Sequence, residues 1–448
     1  MQTHFSPAEL TNPQVAESDR ILRKCVHCGF CTATCPTYLL TGDELDGPRG
    51  RIYLAKDMLE KNRPADATTV KHLDRCLTCL SCMTTCPSGV HYMHLIDHAR
   101  QHIERTYRRP LGERLLRSML AFVLPNTAAF RAALWAGALA SPFRGLLPSR
   151  LRGLIDMARA ARAERAGRGT GTLDFERRFA PDSPPESPPN GPQTIRRVMR
   201  VALLPGCVQP VLRPEINKSA MHVLGRYGVE VVVAPGTGCC GALVHHLGRE
   251  HESLAQAKAD IDAWMREIEG EGLDAIIVTA SGCGTMLKDY GFLFRNDPAY
   301  AAKAARVSAL ARDVTEVLAK FEINSIGSPE AAEHHRVAYH SACSLQHGQK
   351  LHTLAPDLLR KAGFTVVDIP ESHICCGSAG TYSLLQPEMS AQLRERKARN
   401  IESVAPTLIA TGNIGCMTQI AAATDIPILH TIQLLDWATG GLRPAGVP

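Results

Sequence analysis

The pattern of apolar positions divides the 448-residue chain into two regimes. In the first, apolar residues recur at helical spacing, as in Ile52-Tyr53-Leu54-Ala55-Lys56-Asp57-Met58-Leu59, and residues 88–165 read as mostly helical. In the second, from residue 200 onward, the apolar residues come in short continuous runs at 201–204, 229–233, 274–280, 337–340, 364–369 and 407–411. Runs of this length, alternating with helical stretches at 253–268 and 388–401, predict βαβ units built on parallel sheets. A Gly, Pro and Ser rich stretch at 166–193 separates the regimes and reads as a linker. Its Gly167-x-Gly169-x-Gly171 follows no strand, so it is not a nucleotide loop. Residues 118–143 carry one charge, Arg131, but Pro125-Asn126-Thr127 breaks the run. The expectation is therefore two short helices, packed inside the protein or lying at a membrane interface, and not one span.

The second regime repeats itself. Single Cys207 matches Cys343, the pair Cys239-Cys240-Gly241 matches Cys375-Cys376-Gly377, and Cys283 matches Cys416, at offsets of 136, 136 and 133 residues. Three landmarks agreeing this closely indicate an internal duplication. Each cysteine falls just past the carboxyl end of a strand run, the edge of an open α/β sheet where ligands bind. The helix expected after each Cys-Cys-Gly directs a positive dipole end at the thiolates, and Gly241 and Gly377 are expected to let backbone approach a metal closely. Gly236-x-Gly238-x-x-Gly241 matches a dinucleotide loop, yet no acidic strand end follows and the second repeat lacks the pattern. His340, His347 and His373 lie near these cysteines, as metal ligands, proton carriers or ordinary packed histidines.

The first regime carries a pattern written twice: Cys25, Cys28, Cys31 and Cys35-Pro36, then Cys76, Cys79, Cys82 and Cys86-Pro87. Both copies read C-x2-C-x2-C-x3-C-P, the spacing by which two-cluster ferredoxins hold [4Fe-4S] clusters, with the fourth cysteine of each run serving the other cluster. Cys25, Cys28, Cys31 and Cys86 are thus grouped, as are Cys76, Cys79, Cys82 and Cys35. Structural zinc knuckles do not need a third cysteine at +3 with a Cys-Pro at +7, and disulfides need an oxidising compartment. The 41 positions from Cys35 to Cys76 make this a helix-inserted ferredoxin, and Arg49 and Arg51 in the insertion are either cations that raise a cluster potential or solvated surface arginines.

Composition adds a compartment and a surface. Sixteen cysteines fit a reducing environment if most are ligands, and the N-terminal residues show neither a signal-type apolar run nor a twin arginine, so a cytoplasmic setting is expected. The net charge of +6 is uneven: residues 101–200 hold 18 Arg, no Lys and 8 acids, a local excess of +10. Such a segment suits an acidic partner or a membrane surface; with aromatics at 5% and no accompanying motif, nucleic acid is not an expected partner. No flavin fingerprint, HExxH or Ser-His-Asp arrangement is apparent in the sequence.

A doubled Cys-Cys-Gly module behind a two-cluster ferredoxin resembles the glycolate oxidase iron-sulfur subunit family, related to lactate-utilisation, anaerobic glycerol-3-phosphate dehydrogenase C and heterodisulfide reductase subunits. The resemblance is carried by ILRKCVHCGFCTATCPTYLLTGDELDGPRGRIYLAK, LDRCLTCLSCMTTCPSGV, TASGCGTMLKDYG and ESHICCGSAGTY. It implies an electron-transfer subunit working with a separate FAD subunit that oxidises glycolate to glyoxylate, with D-lactate to pyruvate as a further substrate pair. It also implies delivery to a quinone or another membrane acceptor, and peripheral association with the inner membrane. The alternatives are an equivalent subunit of a lactate or anaerobic glycerol-3-phosphate dehydrogenase, or a Cys-Cys-Gly subunit acting directly on a quinone or disulfide. In heterodisulfide-reductase-type modules a further cysteine follows the last by three; here Met286 and Gln419 stand there. The four cysteines left in each repeat, Cys207, Cys239, Cys240, Cys283 and Cys343, Cys375, Cys376, Cys416, suffice for an ordinary cluster or metal but not for the five-cysteine kind.

The expected fold is an α+β and α/β multidomain chain: a helix-inserted two-cluster ferredoxin domain at 1–100, an arginine-rich helical segment and linker at 101–200, and two duplicated α/β Cys-Cys-Gly modules at 201–325 and 326–448.

Overall fold

Proline and capping side chains set the helices of the N-terminal half. In the computed structural model, which describes residues 1–142, 197–323 and 335–447, α1 (Pro13–Lys24) begins with Pro13 in its first turn while the Asn12 side chain accepts from the Gln14 N–H; Arg23 and Lys24 close it at the negative end of its dipole. α2 (Pro36–Thr41) and α3 (Pro48–Glu60) also open on proline, and Asp66 caps α4 (Ala67–Asp74) through the Thr69 N–H. With α5 (Ser81–Thr85) and α6 (Tyr92–Thr106) these helices enclose a core that includes Ile21, Leu22, Ile52, Met58, Leu73, Leu95 and Ile103. The 118–143 stretch is broken where the proline predicted. α7 (Leu111–Val123) and α8 (Thr127–Leu139) form a hairpin, with Asn126 capping α8, and no helix among the described residues is long and apolar enough to cross a membrane. The linker at 166–193 and its glycines lie outside the described residues.

Each Cys-Cys-Gly module is a four-stranded parallel sheet. β1 (Met199–Leu203), β2 (Val229–Val232), β3 (Ala275–Val278) and β4 (Ala311–Asp313) run in the order β2-β1-β3-β4, with Val201 level with Val231 on one side and Ala275 on the other. β5 (Arg336–His340), β6 (Thr365–Val367), β7 (Leu408–Thr411) and β8 (Ile428–His430) repeat that order as β6-β5-β7-β8. Strands β1, β3, β5 and β7 are buried nearly throughout because helices cover both faces, which explains the continuous apolar runs. The predicted helices appear as Glu250–Glu269 and Pro387–Glu402. The fourth strand of each module escapes the sequence reading, since three residues are too few to show a period. The helices that follow start on capping boxes at Asp313 and His430.

The two modules share one apolar core, in which Val201, Leu203 and Ile277 join Val337, Tyr339 and Ile409. Their site-bearing edges meet: Asn413 Nδ2 donates to Ser281 Oγ at 2.8 Å, and the Thr279 carbonyl lies 2.8 Å from His430 Nε2. The ferredoxin domain docks on this pair through a buried contact of His245 with Asp97 at 3.2 Å and a partly buried one of His347 with Thr84 at 2.8 Å. The α7–α8 hairpin is anchored by Leu120, Phe130 and Leu134 against Val244, Leu247, Leu384 and Leu385.

Candidate electron-transfer site

The two cysteine runs form two neighbouring cavities. Cys25, Cys28, Cys31 and Cys86 line the first, with Ile52, Val90 and Arg49; Cys35, Cys76, Cys79 and Cys82 line the second, with Thr37, Arg51 and Leu80. Each cavity gathers the four cysteines of one crossed group, and Cys82 also borders the first. Pro48, Cys82 and Tyr92 border both cavities, so one thin wall separates them. Both loops wind the same way: His27 and Gly29 have positive φ, as do Thr78 and Leu80 at the matching positions. Left-handed backbone at non-glycine residues is costly, and successive turns of this kind make a concave nest of amides suited to an anion. The Thr78 N–H already donates to Cys76 Sγ at 3.4 Å.

The donor set fits iron-sulfur clusters: eight thiols, four to a cavity, in apolar walls. Burial pushes the Cys31 thiol up to about 11 and the Cys79 and Cys82 thiols well above the ordinary thiol value. A bound cluster would take these sulfurs as thiolates, its iron compensating their charge.

The cavities differ in exposure and in polar surroundings. At the first, Cys28 is open to solvent in a loop whose Val26 and Phe30 are each more than 60% exposed, as is Tyr53, whose ring lies 6.3 Å from that of His27. Arg49 there is half-exposed, paired with Glu44 at 2.7 Å and reaching the His27 carbonyl at 3.3 Å. At the second, Arg51 is buried: Nη1 points to Cys35 Sγ at 3.8 Å, Nη2 donates to Thr37 Oγ1 at 2.9 Å and Nε to the His72 carbonyl at 2.7 Å. Asp46 balances it at 3.7 Å and is itself held by Arg75 and by His72, at 2.7 and 2.8 Å. Thus of the two arginines weighed in the sequence, Arg51 is the buried cation beside sulfur and Arg49 the surface ion pair. Two partners had no sequence signal, because they sit on α6 far along the chain: Tyr92, whose hydroxyl is 3.8 Å from Cys76 Sγ, and Arg100, donating to the Cys76 carbonyl at 2.6 Å.

In the modules the cysteines gather at the carboxyl edges of the sheets, as expected. In the first module Cys239 accepts from Cys207 and Cys240, which lowers its pKa, while Cys240 also meets Cys283. In the second, Cys343 and Cys375 are 3.8 Å apart, and Cys376 contacts both Cys375 and Cys416. One expectation needs correction. Only the first module continues from Cys-Cys-Gly directly into a helix, the short Ala242–His246; in the second, a turn intervenes before Tyr382–Leu385. Gly241 and Gly377 also meet a packing requirement: both have positive φ, and a Cβ there would meet the Ser253 and Ser390 carbonyls at 2.8 and 2.7 Å. The three histidines separate as well. His347 bridges Thr84 and the His373 carbonyl, His373 is half-buried beside it, and His340 is fully buried.

Residues 21–90 match a family of 4Fe-4S dicluster domains, and residues 201–288 and 337–421 each match a cysteine-rich domain. Over 98% of its length the chain is 44% identical to the glycolate oxidase iron-sulfur subunit of Escherichia coli, covering 99% of that protein. A probable glycolate oxidase iron-sulfur subunit of Bacillus subtilis is 30% identical over 94% of both chains. Lactate utilization protein A of Bacillus velezensis is 26% identical over 53% of this chain and 99% of its own.

Proposed function

The chain belongs to the family of glycolate oxidase iron-sulfur subunits, and on that premise we propose that it carries electrons from an FAD subunit that oxidises glycolate to glyoxylate toward a membrane quinone. The observation that carries the reading is the pair of four-cysteine cavities with a shared wall. When bound there, two [4Fe-4S] clusters supply sites that each take one electron, which divides the pair a flavin collects. Cys25, Cys28, Cys31 and Cys86 would hold the outer cluster, and Cys35, Cys76, Cys79 and Cys82 the inner one. The protein's own role is to position, insulate and tune. Val26, Phe30 and Tyr53 offer an apolar rim to a partner at the only exposed cysteine of the ferredoxin, Cys28, and we assign this face to the flavin subunit. Arg51, Thr37 and Tyr92 place positive charge and hydroxyls at the inner sulfurs and favour the reduced state there.

The outward side of the α7–α8 hairpin supports peripheral contact with the inner membrane from the cytoplasmic side. Leu111, Leu115, Phe122, Trp135 and Leu139 are exposed on it, with Arg108, Arg114 and Arg131 alongside. Such a face inserts shallowly among lipids while arginines meet anionic headgroups. The working division is that of the sequence: a ferredoxin domain at 1–100, an arginine-rich segment at 101–200, and modules at 201–325 and 326–448. The test mixes the anaerobically purified chain with its flavin subunit and glycolate. Iron-sulfur absorbance should bleach only when all three are present; bleaching that fails with an active flavin subunit rejects the carrier role.

A further inference from the structure

The two modules are duplicates in backbone but not in what surrounds their cysteines. His340, at the end of β5, is 1% exposed, and neither of its ring nitrogens has a hydrogen-bond partner. Its donor nitrogen and the sulfurs of Cys376 and Cys416 all lie within 4.8 Å of one another. A buried polar group without a partner is rare and marks strain or an unseen ion, and imidazole is the commonest nitrogen ligand of metals. The duplication aligns His340 with Leu204, which is buried and apolar, so the first module has no such donor.

The charges differ in the same sense. Ser253 and Ser390 occupy equivalent places against Gly241 and Gly377, and the same offset aligns Asp260 with Lys397. Both side chains are 1% exposed. Lys397 donates to the Glu371 carbonyl at 2.8 Å and faces Cys375, Cys376 and Cys416; Asp260 accepts from the Gly238 N–H at 2.7 Å and faces Cys239. A buried cation favours a cluster of thiolates, and a buried carboxyl group opposes one. Location adds a third distinction. Cys343 and Cys375 pack in one apolar cluster with Cys79 and Leu77 of the inner ferredoxin cavity, together with Ile374, Tyr382 and Leu393.

We propose that the second module, and not the first, holds a redox-active iron-sulfur centre bound by Cys343, Cys375, Cys376 and Cys416 with His340 as a fifth donor, directly behind the Cys79 side of the ferredoxin. This rests on the carrier reading above. A neutral nitrogen donor adds no negative charge, so it leaves such a centre easier to reduce than a fifth thiolate would, which suits the position after the inner cluster. One electron leaving the inner cluster would reduce this centre by one, with no proton required.

The test uses the full chain, purified without air from cells fed 15N-histidine. Iron and zinc are counted, and the reduced protein is read by EPR and by 15N hyperfine spectroscopy. The expected result is iron beyond the roughly eight atoms of two [4Fe-4S] clusters, with a resolved 15N-histidine coupling. His340→Leu, which installs the residue of the first module, should lose the coupling and at least half of the additional iron while both ferredoxin signals persist. Cys375→Ser should do the same, and Cys239→Ser should change neither. Ferredoxin iron with nothing beyond it, zinc in the second module, additional iron without 15N coupling, or equal sensitivity to Cys239→Ser would each overturn the proposal while leaving the carrier reading in place. Loss of the ferredoxin iron itself would instead strike that reading. If His340→Leu does not fold, the coupling in the wild-type chain decides alone.

Discussion

Replacing Arg51 by Met should lower the potential of the inner cluster and leave the outer one where it is. The guanidinium is buried with Nη1 3.8 Å from Cys35 Sγ. A unit charge near 4 Å is worth about 4 kcal/mol at an effective dielectric of about 20. The Asp46 carboxylate, 3.7 Å from the guanidinium, opposes that field. Removing the guanidinium alone takes away that whole contribution, roughly 170 mV for a one-electron couple, and leaves the carboxylate field in place; if the carboxylate cancels about half of it, the two charges together net roughly 2 kcal/mol, or roughly 85 mV. Removing one member of a buried ion pair also costs on the order of 3–5 kcal/mol of stability; here Arg75 and His72 still hold Asp46 and should keep the loss at the lower end. The double substitution Arg51→Met with Asp46→Asn removes both charges, and its shift should be about half as large. Arg51→Lys keeps the charge and should recover most of the potential. The assay is an anaerobic redox titration followed by EPR, in which the exposed and buried clusters are resolved by their line shapes. An inner potential that stays within about 20 mV of wild type, well under the shift worked from the Coulomb estimate, would refute the reasoning, as would an equal shift of both clusters.

Tyr92→Phe removes a hydroxyl 3.8 Å from Cys76 Sγ and should lower the same potential by roughly 40 mV, the one-electron equivalent of about 1 kcal/mol of hydrogen bond. The Asp97–His245 contact makes docking of the ferredoxin on the modules pH-dependent. Burial opposes both charges, but each partner supports the other, so Asp97 is held down to about 2 and His245 is raised. The Asp97 contribution is present above pH ~4 and fades toward 2, while that of His245 is full below pH ~6.5 and is lost as pH climbs through its raised folded value. Anaerobic melting temperatures should therefore fall between pH 6 and 8.5, and Asp97→Asn should melt lower at pH 6 with a flatter profile; an unchanged slope would contradict the assignment. Phe30→Asp should leave iron content intact yet weaken capture by the flavin subunit on the order of 30-fold, as for a lost apolar hot spot; unaltered capture by pull-down would remove that face from consideration. Trp135→Glu combined with Phe122→Glu should abolish sedimentation with anionic vesicles without affecting neutral-vesicle controls or cluster spectra.

What could be read from sequence was what is local or periodic. The spacing within each cysteine run made a loop around one cavity legible, because two or three residues between thiolates leave the chain no other course, and the cysteines do line two adjoining cavities. Equal offsets between Cys207 and Cys343 announced two sheets of one topology, and Pro125 announced the hairpin. What escaped depends on distance along the chain. Tyr92 and Arg100 come to Cys76 only through the packing of α6, and the burial of Arg51 follows from Asp46 and His72 closing over it. The contact of Cys343 with the Cys79 loop joins segments more than 260 residues apart. β4 and β8 carry too few residues for a pattern. The packing that requires Gly241 and Gly377, a serine carbonyl against each missing side chain, comes from a helix further along the chain and left no local signal.

The central claim is that the N-terminal cysteines hold a pair of iron-sulfur clusters through which this chain conducts electrons. Iron and acid-labile sulfide counted on anaerobically purified protein, with EPR of the dithionite-reduced sample, test it most directly. The account predicts about eight or more of each per chain and the broadened spectrum of two interacting [4Fe-4S] clusters. Colourless, iron-free protein with intact fold, or mononuclear zinc at these cysteines, would contradict it.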